Sequence, residues 1–122
     1  MKKVLLVDDD LHIANLMKFF IEKHSKSEVT YVHNGKEALE VLKNEPHDLI
    51  ILDYDMPVMD GVETATKIKE DTNIKNIPIV VSSSHVLETL KKKFKNTNVK
   101  HYFHKDDLFT KEGKDKFLKF LN

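Results

Sequence analysis

The chain has 122 residues, 40% of them hydrophobic and 33% charged, a balance that suits one folded domain with a real core and excludes a disordered polypeptide. Its 20 basic side chains are all lysines and are matched by 20 acidic ones, so no net field draws it to nucleic acid or an anionic membrane, and the forked donor that reads guanine is missing. Cysteine is absent, which rules out disulfides, thiolate metal sites and a thiol nucleophile.

In chain order, Val4–Val7 reads as a strand, and Asp8, Asp9 and Asp10 follow at once. These aspartates stand where a signal peptide would continue its apolar stretch, and no apolar run nears the roughly 20 residues of a membrane span, so a cytoplasmic location is expected. Ile13, Leu16, Met17, Phe20 and Ile21 then recur at the spacing of one helical stripe. Val29–Val32 is the second strand, and Asn34-Gly35 leads into a helix carrying Ala38, Val41 and Leu42. Leu49–Leu52 is the third, with Asp53 and Asp55 behind it, and Asp60-Gly61 opens a helix with Val62, Ala65 and Ile68. After Ile79–Val81 come Ser82, Ser83 and Ser84, of which Ser84 is the expected cap of a helix bearing Leu87, Leu90 and Phe94. His101–Phe103 is a weaker fifth strand, and Thr110 is the expected N-cap of a last helix holding Phe117, Phe120 and Leu121.

Five strand–helix units in strict alternation imply an α/β fold, a parallel sheet with helices on both faces. In such sheets ligands bind beyond the carboxyl ends of the strands, where the strand order reverses. Two strand ends here carry aspartates, so at least four carboxylates border that crevice. Capping by Asp8, Asp9 or Asp10 accounts for one or two of them, but not for a second acidic strand end. Crowded carboxylates require a proton or a cation. With oxygen ligands alone and no calcium-loop pattern, Asp8, Asp9 and Asp53 suit Mg²⁺, which takes few carboxylates and completes its shell with water and phosphate oxygens. The seven histidines have no tight metal-ligand spacing.

The stretch Asp53-Tyr54-Asp55-Met56-Pro57-Val58-Met59-Asp60-Gly61 resembles the phosphoacceptor motif of response-regulator receivers, D-x-x-M-P-x-M-D-G. Asp8 and Asp9 stand 45 and 44 residues before Asp53, Ser83 stands 30 after it, and Lys105 a further 22 on, as in that family. The resemblance covers essentially all of residues 1–122 and is closest to the stand-alone, chemotaxis-type receiver. It implies a doubly wound (βα)5 fold of strand order 2-1-3-4-5. It also implies that Asp53 takes a phosphoryl group from a sensor histidine kinase or phosphotransfer protein. Asp8, Asp9, Asp53 and the backbone carbonyl of Asp55 would hold Mg²⁺, Asp8 mainly through water. Lys105 and Ser83 would contact the phosphoryl group, and Ser83 and Tyr102 would form the switch. The face from the fourth to the last helix, rich in lysine at Lys91, Lys92, Lys93 and Lys95, would meet a downstream protein. Such a chain is a regulator that assists its own phosphorylation and dephosphorylation, not an enzyme proper.

Certain positions depart from the family. Lys105 is followed by Asp106 where receivers have proline, often after a cis bond, which affects the aim of the lysine. Ser84 replaces a small residue, while Asp55 and His85 occupy positions that tune dephosphorylation in the family. Two other readings compete. In a haloacid-dehalogenase-type phosphatase the Asp53-x-Asp55 pair should follow the first strand, and Asp8 and Asp9 would be idle. A phosphorylation-independent interaction module would not need Asp8, Asp9, Asp53, Ser83 and Lys105 together.

Overall fold

The computed structural model describes residues 1–121. Its elements alternate: β1 (Lys2–Val7), α1 (Leu11–His24), β2 (Ser27–Val32), α2 (Gly35–Asn44), β3 (Leu49–Asp53), α3 (Gly61–Glu70), β4 (Ile79–Ser83), α4 (Leu87–Lys93), β5 (His101–His104) and α5 (Lys111–Lys119). The strands form one parallel sheet of order β2-β1-β3-β4-β5. The strands β3 and β4 are buried at every position because helices cover both faces, and their polar residues, Asp53, Ser82 and Ser83, fall only at the carboxyl ends.

The strand period of two divides the core into two layers. Leu5, Val7, Leu52 and Val81 face Ala38, Leu42, Ala65 and Ile68 of α2 and α3 and Leu90 of α4. Val4, Leu6, Ile51, Val80 and Phe103 face Ala14, Met17 and Ile21 of α1 and Phe117 of α5. Four helices begin on oxygen caps, of which Thr110 and one of the Asp8–Asp10 run were expected. Asp10 accepts from the His12 and Ile13 amides, Asn34 from Glu37, Asp60 from Glu63 and Thr110 from Gly113.

Two expectations are corrected and one element is added. The buried stripe of α1 is Ala14, Met17 and Ile21. Leu16, roughly 130° round the helix from the centre of that stripe, is 40% exposed, and Phe19 beside it is 64% exposed. Ser84 caps nothing: α4 starts three residues later behind Val86, which makes no side-chain cap bond. Ser83 takes the local donor instead, its Oγ accepting from the His85 amide at 2.8 Å, which turns the chain before a helix can start. Finally, a 3-10 helix over Lys105–Phe109 joins β5 to α5, a connection the apolar pattern did not reveal.

Candidate functional site

The strand registers decide which side chains meet. Val7 pairs with Leu52 across β1 and β3, so Asp8 and Asp53 stand at adjacent strand ends. Asp8 is fully buried and Asp53 only 3% exposed. One carboxylate oxygen each from Asp8, Asp9 and Asp53 lies within 4.8 Å of the others, with Asp9 on the solvent side. From the end of β5, Lys105 reaches across and places Nζ 2.9 Å from Asp8 Oδ2 and 3.2 Å from Asp53 Oδ1. No peptide bond among the described residues is cis, and Lys105 enters the pocket without a following proline. The charge beside it is kept away: the Asp106 amide donates to His104 Nδ1 at 3.1 Å, and the Asp106 carboxylate is exposed.

The pocket is over-anionic, with three carboxylates against one ammonium. Burial, then the Asp8 charge, push the Asp53 carboxyl up from 3.8 to about 7 against the pull of Lys105. Burial pulls the Lys105 ammonium down, but Asp53 and Asp8 outweigh it and leave Lys105 above its ordinary value. Both shifts favour protons in the pocket, that of Asp53 first because burial disfavours its charge and then because Asp8 repels it.

The frame around the pocket is tied by backbone groups. The Tyr31 hydroxyl donates to the Asp8 carbonyl at 2.8 Å, and Asp8 Oδ1 accepts from the Asp10 amide at 2.9 Å. The Tyr54 amide donates to the Ser82 carbonyl and the Gly61 amide to the Tyr54 carbonyl. A side chain at Gly61 would put its Cβ 2.6 Å from the Asp53 carbonyl oxygen and 2.9 Å from Tyr54 Cα, so only glycine lets α3 start this close to the loop after β3.

The structure thus brings together Asp8, Asp9, Asp53 and Lys105. The other expected residues ring them. Ser83 is buried at the end of β4. Tyr102 is half-buried, its ring 6.1 Å from Phe94 and its phenol pushed up by burial. Asp55 is exposed, and its Oδ2 lies 3.6 Å from His85 Nε2. Two contacts had no sequence signal. Tyr54 Oη accepts from Lys93 Nζ of α4 at 2.7 Å, and its ring packs edge-on against His85 and Phe94. Ser82 sits fully buried beside Asp53 with an unpaired hydroxyl.

The acidic cluster fits a hard divalent cation. Three carboxylates share a single ammonium, the ligand atoms are oxygens alone, and this is the only such group of three among the described residues.

A family model for the response regulator receiver domain matches residues 4–111. The chain belongs to the response regulator receiver family. Among curated receivers it is 41% identical over 86 residues to the rice (Oryza sativa subsp. japonica) two-component response regulator ORR5, a match covering 70% of this chain and 64% of that protein. To rice ORR7 it is 42% identical over 82 residues, covering 66% of this chain and 39% of the relative. The chain therefore spans between about two fifths and two thirds of the length of these relatives. Among solved receivers, the Vibrio cholerae chemotaxis response regulator CheY4 is 28% identical with a TM-score of 0.87, covering 100% of this chain and 99% of that one. The phosphorylated cyanobacterial phytochrome response regulator RcpA is 29% identical with a TM-score of 0.85, covering 99% and 94%. The receiver strand order expected from the sequence is the one observed.

Proposed function

We propose that this receiver is a phosphoacceptor of two-component signalling that takes a phosphoryl group from a phosphohistidine donor onto Asp53. The observation that carries the reading is the bridge of Lys105 Nζ to both Asp8 and Asp53 beside a third carboxylate. An anionic carboxylate does not attack an anionic phosphoryl group until charge is neutralised. Asp8, Asp9, Asp53 and the Asp55 carbonyl would hold Mg²⁺, whose charge would supply that neutralisation. Lys105 supplies a second positive charge to the phosphoryl oxygens, leaving its resting partners, and the Ser83 hydroxyl donates to the group once it has arrived. In the transfer, an Asp53 carboxylate oxygen forms the new bond to phosphorus. The bond from phosphorus to the donor nitrogen breaks, and the nitrogen keeps the pair.

The whole chain acts as one receiver domain in the cytoplasm, a regulator rather than a turnover enzyme. Among the described residues no helix is long and apolar enough to cross a membrane. Ser83 and Tyr102 read the phosphoryl group and relay it to the face of α4, β5 and α5, where Lys91, Lys92 and Lys95 favour an acidic protein partner. Neutralising those lysines is expected to weaken partner binding at low salt; unchanged affinity removes that part of the reading. The acceptor role is tested with acetyl phosphate and Mg²⁺, read by intact mass. The parent gains one phosphoryl group, and Asp53→Asn or chelation of Mg²⁺ prevents it. Equal modification of the Asn variant refutes Asp53 as the acceptor.

A further inference from the structure

The two serines at the end of β4 point to opposite faces of the sheet. Side chains alternate along the strand: Val81 and Tyr102 pack with the α2–α3 layer and Val80 and Phe103 with the α1–α5 layer. Ser83 therefore lies on the Tyr102 side. Ser82 lies on the Phe103 side, and so does Asp53, two residues beyond Ile51 of that layer. The registers put Asp8, Asp53 and Ser82 in one row across three neighbouring strands, with Phe103 closing it. Ser82 is fully buried, and its hydroxyl has no hydrogen-bond partner among the described residues. Asp8 Oδ2 is likewise unbonded by hydrogen-bond geometry, but it has the Lys105 ammonium at 2.9 Å. Ser82 alone in the row has nothing. A buried hydroxyl without a partner costs free energy, and its retention beside a reacting carboxylate calls for a cause.

We infer that Ser82 is a positioning residue for Asp53, its hydroxyl donating to the non-bridging oxygen of the Asp53 carboxyl group once Lys105 has turned to the phosphoryl group. This rests on Asp53 being the acceptor. In the resting pocket Lys105 Nζ serves Asp53 Oδ1 at 3.2 Å. When that ammonium moves to phosphoryl oxygens, the buried carboxyl oxygen loses its donor. Its row neighbour on β4, Ser82, has an uncommitted proton, and adjacent strands are only about 4.8 Å apart. The bond matters most during hydrolysis. Water adds to phosphorus, the bond from phosphorus to the Asp53 oxygen breaks, and its electron pair stays on the carboxylate. The products are the Asp53 carboxylate and dihydrogen phosphate. In a loose transition state the leaving carboxylate already bears most of its charge, and a hydrogen bond to a charged oxygen is stronger than one to the neutral acyl carbonyl. Ser82 thus speeds loss of the phosphoryl group more than its gain.

The test compares the parent, Ser82→Ala and Ser82→Thr, phosphorylated with acetyl phosphate and Mg²⁺, freed of donor and followed by intact mass, with thermal melting alongside. Ser82→Ala is expected to hydrolyse about 3- to 10-fold more slowly, to gain the phosphoryl group within twofold of the parental rate, and to melt no lower than the parent. Ser82→Thr, which keeps the hydroxyl, is expected within twofold of the parent in hydrolysis. Parental decay in Ser82→Ala overturns the inference and leaves the acceptor reading intact. Equal slowing in both variants also overturns it, because packing would then be the cause. A parent that takes up no phosphoryl group overturns the acceptor reading and this inference together.

Discussion

Replacing Asp53 by Asn is expected to stabilise the metal-free protein at pH 8, although it removes the proposed acceptor. Asp53 is buried, shares its pocket with Asp8, and has its carboxyl pushed from 3.8 to about 7 by burial and then by Asp8. A carboxyl raised on folding contributes stability that is complete below the unfolded value and is lost as pH climbs through the folded one. At ~1.4 kcal/mol per pH unit the shift corresponds to a ceiling of ~4 kcal/mol lost between about pH 4 and pH 7. Asp8 and Lys105 share that titration, so about 1–3 kcal/mol is expected in practice. Asn keeps the shape, drops the charge, and leaves Lys105 paired one to one with Asp8. Urea unfolding of both proteins from pH 4.5 to 8.5 in EDTA measures the difference. The Asn variant should gain stability relative to the parent through this range and level off above pH 7.5. Mg²⁺ at ten times its dissociation constant should return about 1.4 kcal/mol to the parent and less to the variant. A variant less stable than the parent at pH 8 without metal, with a parallel pH profile, would refute the electrostatic account.

Further expectations follow from the same geometry. Lys105→Ala strands Asp8 and Asp53 without a cation and should cost about 3–5 kcal/mol at pH 8. The loss should shrink toward pH 5 as Asp53 takes a proton, and phosphoryl uptake from acetyl phosphate should fall; a pH-independent loss would contradict this. Gly61→Ala drives a Cβ against the backbone of Asp53 and Tyr54 and should cost about 1–3 kcal/mol in chemical denaturation, whereas a neutral result would mean that α3 can back away freely. His85 and Asp55 touch across the pocket mouth, so His85→Ala and Asp55→Ala should each change the aspartyl-phosphate lifetime while leaving the circular dichroism spectrum unaltered. Their double variant should be non-additive, and equal decay in all four proteins would defeat the prediction.

Elements with strong local signals were legible from the chain alone. Leu49–Leu52 is apolar throughout because it lies between two helical layers, and Asp10, Asn34, Asp60 and Thr110 cap helices through purely local bonds. The acidic pair of strand ends and Lys105 were legible because their spacing matches a long motif. What stayed hidden was set by packing between distant segments. Leu16 and Met17 are equally apolar, and only the docking of α1 on the sheet decides which one is buried. Serines are ordinary caps, so Ser84 looked like one until the backbone turned at the Ser83 hydroxyl. The contact of Tyr54 with Lys93 spans 39 residues, and the lone hydroxyl of Ser82 is defined by what its neighbours fail to offer. Neither can be read from a local window.

The ion pair of Lys105 with Asp8 closes a loop of nearly the whole polypeptide, and Asp53 lies near its middle. Such a pocket has no local precursor: it exists only after β1, β3 and β5 have all taken their places in the sheet. Long-range pairing of this kind is slow to assemble, so a nascent or partly unfolded chain has nowhere to hold a phosphoryl group. If Asp53 is the phosphoacceptor proposed above, phosphoryl uptake requires all three strands in place, and its extent should track the native population across a denaturant titration.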